Sequence, residues 1–358
     1  MDLKKKNALF ITFILLSCVS SSPKEPDAII PIEDTGFENN SGTEENDDSD
    51  DTNIDLEDTT NGDCELSLGQ EMDDSLTEHF INWLTTQGYN SAKMTRADIT
   101  GGSFGGLISA SDCITKEPVI FIHGNSDQAL YGIFGGWEQS RDYFLSQGYR
   151  SAELYATTYG LPALQLSSDY THDKESILQV RQFIEAVLEY TDSDKVDIIA
   201  HSLGVTITRR AILGGTEYNL DGSAYNIGAP LTDKIDSFLG IAGGNQGLTN
   251  CAYTGTTTPI CHEDLGLYPG WWSGFEVVNR STILNTLNDD ARYEADFIYS
   301  MWAQYDTILG LDCLVWGVNS CQIPAQDGEY SSAILDHLQL KTDTAAVQYS
   351  MVVEHIVP

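Results

Sequence analysis

The sequence predicts an α/β fold, a mostly parallel central sheet flanked by helices with loop or cap insertions, on three observations. Apolar runs alternate with amphipathic stretches from about residue 64 to the end of the chain. The run Pro118-Val-Ile-Phe-Ile-His-Gly124 is continuously apolar up to its last two residues, the pattern of a strand buried on both faces of a parallel sheet. Ile177, Val180, Phe183, Ile184, Val187 and Leu188 recur at the spacing of one helix face across 173–191.

In order, the pattern predicts a helix over 72–87, a strand over 118–124, a helix near 137–147 and a strand near 151–158. The helix at 173–191 follows, then a strand at 195–201 and a helix at 203–213. Strands at 235–242 and 296–302 and a helical stretch at 342–355 complete the set. There is no internal repeat. A chain of 358 residues with 41% apolar content can bury one large core, and one folded domain over 63–358 is expected.

The charge is far from ordinary: 54 acidic residues against 18 basic ones give −36. Residues 23–62 hold 14 Asp/Glu and one Lys, and no apolar periodicity, so 19–62 is expected to be a disordered acidic tether. Such a body repels phosphate backbones and anionic membrane surfaces, which excludes nucleic acid as a partner. Ahead of the tether, Lys4, Lys5 and Lys6 precede an apolar run from Ala8 to Leu16 that is too short to span a bilayer. This is the pattern of an export signal over 1–18. Leu15-Leu16-Ser17-Cys18 is the pattern of a lipoprotein cleavage site, which would make Cys18 the lipidated N-terminus.

Six further cysteines, Cys64, Cys113, Cys251, Cys261, Cys313 and Cys321, suit three disulfides in an exported chain. The short loops favour Cys251–Cys261 and Cys313–Cys321, leaving Cys64 with Cys113.

Ala200-His201-Ser202-Leu203-Gly204 falls between an apolar strand and a helix, where a sharp turn lifts a nucleophilic serine off the end of a sheet. Small residues at 200 and 204 let neighbouring backbone pass close by. Upstream, the apolar strand ending in His123-Gly124-Asn125 supplies the other half of an oxyanion hole, with the N–H groups of Asn125 and Leu203 as donors. His123 is read as a brace for that loop. A serine needs a base and a group that orients the base. Of the histidines after Ser202, His337 lies on a loop beyond the last predicted strand, whereas His262 comes too early and His355 sits near the chain end. Asp306 follows the strand at 296–302 and is preferred over Asp312, which adjoins Cys313. No His-Glu-x-x-His motif or zinc spacing is present, so neither a metal nor a cofactor is expected.

These motifs resemble the class 2 lipase family, and within it the group containing an extracellular polyhydroxybutyrate depolymerase. The likeness is carried by Pro118–Asn125, Val196–Val205 and Ala242-Gly-Gly-Asn-Gln-Gly-Leu248. Further on it is carried by Cys251-Ala-Tyr-Thr-Gly255 with Cys261, Gly266-Leu-Tyr-Pro-Gly270 and His337-Leu-Gln-Leu-Lys-Thr342. It spans roughly 105–355. Residues 271–330 depart from it and the tether lies outside it. The resemblance implies an α/β-hydrolase fold and carboxylic ester hydrolysis by Ser202, Asp306 and His337. The expected partners are a lipid or other ester substrate, with membrane contact only through a lipid anchor at Cys18 and the protein otherwise a monomer. The alternatives are a polyester depolymerase and, in a different class, an inactive surface binding module. The segments at 125–136 and 245–295 should wall the cleft, with Tyr131, Phe134, Trp271 and Trp272 as its apolar candidates.

Overall fold

The computed structural model describes residues 72–109 and 112–358. The signal segment, Cys18, the tether and Cys64 lie outside the described residues.

Seven strands form the central sheet: β1 (Ser103–Phe104), β2 (Val119–Ile122), β3 (Leu154–Thr157), β4 (Val196–His201), β5 (Ile235–Ile241), β6 (Phe297–Ala303) and β7 (Gly328–Ser332). Their spatial order is β1-β3-β2-β4-β5-β6-β7. All pairs are parallel except β1 with β3. Alternation along the inner strands divides the core in two. Ile120, Ile122, Ile198 and Ala200 face one layer, and Val119, Phe121 and Ile199 face the other. All seven are fully buried, which is why these strands read as unbroken apolar runs.

Among the described residues there are nine helices: α1 (Glu78–Thr86), α2 (Ser91–Thr95), α3 (Glu138–Ser146), α4 (Lys174–Thr191), α5 (Leu203–Leu213), α6 (Thr249–Thr254), α7 (Thr282–Asp289), α8 (Gln339–Thr342) and α9 (Ala345–Val353). α1, α4, α5 and α7 cover the first layer, and α3 and α9 cover the second. The start of α4 shows why the expected boundary is sharp: the Asp173 carboxylate caps it, accepting from the Ser176 N–H and hydroxyl at 2.9 Å.

Several boundaries differ from expectation. The first helix starts at Glu78 rather than 72, because Thr77 caps it. Residues Ser151–Glu153 form a 3-10 turn ahead of β3. The helical C-terminal stretch breaks at Asp343–Thr344 into α8 and α9. The strand at 296–302 is not the last one: β7 pairs with it in parallel, from Tyr299 with Gly328 to Ala303 with Ser332.

Cys251–Cys261 and Cys313–Cys321 are bonded, as their short loops predicted. Cys113 is also disulfide-bonded. The bridges point to an oxidising compartment. Among the described residues no helix is long and apolar enough to cross a membrane.

Candidate active site

Asn125, Ser202, Asp306 and His337 all follow the C-terminal ends of parallel strands, β2, β4, β6 and β7 respectively, so one edge of the sheet gathers them. Ser202 is the hinge between β4 and α5. Its φ of 54° is unfavourable for a residue with a side chain, a strain of order 1–3 kcal/mol. The fold holds it there. The Ser202 N–H donates to the Ile241 carbonyl at 2.8 Å, and Val205 closes the first turn by donating to the Ser202 carbonyl at 3.1 Å. Small neighbours are obligatory. A Cβ at Gly204 would stand 2.2 Å from the His123 carbonyl oxygen, and one at Gly124 would stand 2.8 Å from the Ser202 Cβ. The fully buried Ala200 completes the compact surroundings of the turn.

His337 sits between β7 and α8 on a turn fixed from both sides. The Ser332 hydroxyl accepts from the Ile334 and Leu335 N–H groups, and the Asp336 carboxylate accepts from those of Leu338 and Gln339. The ring Nε2 lies 3.0 Å from the Ser202 Oγ, and Nδ1 lies 2.7 Å from the Asp306 Oδ2. A carboxylate can only accept, so Nδ1 carries the proton and Nε2 faces the serine hydroxyl as an acceptor. The other Asp306 oxygen accepts from the Ile308 and Leu309 N–H groups at 2.8 and 2.7 Å, which fixes the carboxylate plane. Asp306 and His337 are both buried. The arrangement can move a proton from the Ser202 hydroxyl to a ring whose other face is already held.

The strand ends add two further buried rings. His123 donates from Nδ1 to the Gly124 carbonyl at 2.7 Å, accepts from the Tyr159 N–H at 3.1 Å, and stacks on the Tyr159 ring. Both nitrogens are engaged in the neutral form, and burial pulls its pKa down to about 4. It braces the loop. His201 donates from Nε2 to the His337 carbonyl at 3.1 Å, tying the serine turn to the base turn. Burial, and next the neighbouring His337, hold its pKa well below the usual range, so it stays neutral under the site.

The N–H groups of Asn125 and Leu203 have no acceptor among the described residues. The Asn125 side chain is already committed, donating to the Ser167 carbonyl at 2.8 Å and accepting from Ser126.

Ser202 and His337 open into a cavity of about 330 Å³, near the lower end of the ~300–1,000 Å³ common for small-molecule sites. Its apolar walls are Phe134, Leu164, Leu248, Ile260, Ile308 and Leu338. Of the four cleft candidates only Phe134 lines it. Tyr131 turns away to hydrogen-bond Asp74, and Trp271 and Trp272 lie half-exposed on a separate hairpin with Val277–Val278. The sequence marks these as apolar loop residues but carries nothing about their direction. Ile308 and Leu338 were missed although each lies within two residues of a site residue, a neighbourhood that could have flagged them. Leu164 has no such signal.

The Glu117, Asp197 and Asp236 carboxylates approach within 4.8 Å of one another and are the described group able to hold a metal. They lie at the opposite, N-terminal edge of the strands, where Lys195 stands 3.7 Å from Asp236 and pairs more closely with Asp296.

The family model for class 2 lipases matches residues 116–350. Among solved structures the chain is similar to lipase B of Aspergillus fumigatus, at 14% identity over 72% of this chain and 57% of that one, with a TM-score of 0.44. It is also similar to a Bacillus licheniformis lipase in its propeptide form, at 10% identity over 70% of this chain and 52% of that one, with a TM-score of 0.44. A third is a monoacylglycerol lipase of Paleococcus ferrophilus, at 12% identity over 71% of this chain and 98% of that one, with a TM-score of 0.40. The chain thus spans a little over half the length of the first two. An α/β-hydrolase sheet, and a family model that spans the segments bearing Asn125, Ser202, Asp306 and His337, place this chain in the class 2 lipase family.

Proposed function

We propose that this chain is a serine carboxylic ester hydrolase, exported and held at the cell surface through Cys18. The observation that carries the reading is the hydrogen-bonded series from Ser202 through His337 to Asp306, at 3.0 and 2.7 Å, opening into an apolar cavity.

In this reading His337 Nε2 takes the proton of the Ser202 hydroxyl as Oγ attacks the ester carbonyl. The carbonyl oxygen gains a negative charge and accepts from the Asn125 and Leu203 N–H groups, each worth about 3 kcal/mol of barrier. Collapse of the tetrahedral centre breaks the bond to the alcohol, which leaves with the proton from His337. Water then gives a proton to His337 and attacks the acyl-serine, and the same sequence releases the acid and restores the serine hydroxyl. Asp306 holds the imidazolium throughout.

The apolar walls favour an acyl chain or the apolar part of a polyester. The half-exposed Trp271 and Trp272, with the fully exposed Phe275 between their strands, favour an insoluble substrate, so a polyester depolymerase is the second reading. Export is supported by the basic and apolar start of the chain and by the disulfides.

The test is hydrolysis of p-nitrophenyl esters from acetate to palmitate, with Ser202→Ala as the blank. Wild type should turn over, and the variant should keep its melting temperature and lose at least ~10³-fold in rate. Substantial turnover by the variant would remove Ser202 from the mechanism. Activity confined to short chains would move the test to polyester films, and none at all would favour a binding module.

A further inference from the structure

Two buried charges beside the site are left unused by the chemistry above. Lys341 Nζ donates to the Asp127 Oδ2 at 2.5 Å, and both side chains are 1% exposed. The remaining face of the ammonium looks over the Trp137 ring at 5.4 Å. The second Asp127 oxygen is buried with no hydrogen-bond partner, against Gly132. Burying two charges is costly, and apolar residues of similar volume commonly give equal or better stability. A pair this incompletely satisfied is poor ballast, so its position is the informative feature.

That position is between the two loops that must stay in register. Asp127 closes a turn by donating its N–H to the Gly124 carbonyl at 3.2 Å, and Asn125 lies inside that turn. Lys341 closes the first turn after His337, its N–H donating to the Leu338 carbonyl at 3.0 Å. Its own carbonyl is held by the Gln348 side chain at 2.7 Å. Among the described residues, Lys341 to Asp127 is the one hydrogen bond between loop 124–130 and turn 336–342.

We infer that Asp127 and Lys341 are positioning residues: their ion pair sets the distance between the Asn125 N–H and the His337 ring. The inference rests on the roles proposed for Asn125, Ser202 and His337. A strut of this kind acts on the transition state, in which oxyanion and imidazolium form together, more than on the bound substrate. A misplacement near 1 Å can cost ~10²-fold in rate.

The experiment compares wild type, Lys341→Met, and Asp127→Leu with Lys341→Met together, all as the full chain. Thermal melting, kcat and KM on p-nitrophenyl butyrate, and amide hydrogen exchange are read for each. The double variant should melt close to wild type, with kcat down ~10- to 100-fold, KM within about twofold, and faster exchange at 124–130 and 337–341. Unchanged kcat with unchanged exchange would reduce the pair to packing and overturn the inference. Should the double variant not fold, Asp127→Asn, which keeps the shape and removes the charge, is read by the same criteria. If wild type hydrolyses no ester, the functional reading falls, while the exchange data still decide whether the pair ties the loops.

Discussion

His172 is fully buried just ahead of α4, with Nδ1 donating to the Leu265 carbonyl at 2.8 Å. Its Nε2 accepts from the Thr206 hydroxyl at 2.7 Å, and a second ring proton would turn that hydroxyl to the Leu203 carbonyl, 3.1 Å away. Burial lowers its pKa from 6.5 to about 4. The unfolded chain therefore takes up a proton below 6.5 while the folded chain resists until about 4. The stabilisation is complete above the unfolded value and is lost as pH falls through that window. Between pH 7 and pH 5 the proton-binding ratio gives a loss of about 2 kcal/mol for this one ring. His123, lowered to about 4 by the same cause, adds a similar amount, and His201 acts in the same direction. Asp197 acts the other way, because burial, reinforced by Glu117 and Asp236, raises its carboxyl and the folded chain protonates it first. Replacing His172 by Gln removes one ring and leaves the rest in place. Urea unfolding followed by tryptophan fluorescence, with disulfides intact, gives the stability of each protein at pH 7 and pH 5. His172→Gln should be less stable than wild type at pH 7 yet lose about 2 kcal/mol less on acidification. Equal losses in the two proteins would refute the argument that this ring is held neutral by burial.

Asp306→Asn should keep the fold and lower kcat by ~10⁴-fold. The amide oxygen can still accept from Ile308 and Leu309, which turns the NH₂ toward His337 and forces the wrong tautomer; a loss below tenfold in ester kinetics would contradict this. Gly204→Ala places a methyl 2.2 Å from the His123 carbonyl, so the soluble protein should melt lower and lose more than tenfold in kcat, and wild-type kinetics would show that the turn has room to spare. Trp271→Ala with Trp272→Ala should weaken adsorption to emulsified esters and leave kcat/KM on a soluble short ester unchanged, since neither ring lines the cavity. Equal losses on both substrates would sink the surface-docking role.

The sheet was legible wherever burial on both faces wrote it as an apolar run, as at Val119–Ile122 and Val196–His201. It was illegible at the edge. Gly328–Ser332 reads Gly-Glu-Tyr-Ser-Ser, and as an edge strand it is mostly only partly buried, so no hydrophobic pattern marks it. Ser103–Phe104 is too short to carry one. The meeting of Ser202 and Asp306 could be anticipated because each follows a legible strand, and parallel strands end on one side; His337 follows the illegible β7 and was placed only by its coming on a loop after the strand at 296–302. The cavity walls could not. Tyr131 and Phe134 are three residues apart in the same loop, yet Phe134 lines the cavity while Tyr131 is exposed and hydrogen-bonds Asp74. Asp127 and Lys341 are separated by 214 positions, and nothing in either local sequence names the other.

The cavity walls divide into two kinds with different freedom to change. Ile308 and Leu338 sit on the same short backbone segments that hold Asp306 and His337, and the Ile308 N–H itself clamps the acid. Phe134, Leu164, Leu248 and Ile260 arrive on other segments and share no hydrogen bond with Ser202, Asp306 or His337 among the described residues. On the proposed ester hydrolysis, drift in chain-length preference, whether by natural divergence or directed selection, should therefore accumulate at those four positions, while Ile308 and Leu338 stay tethered to the rate.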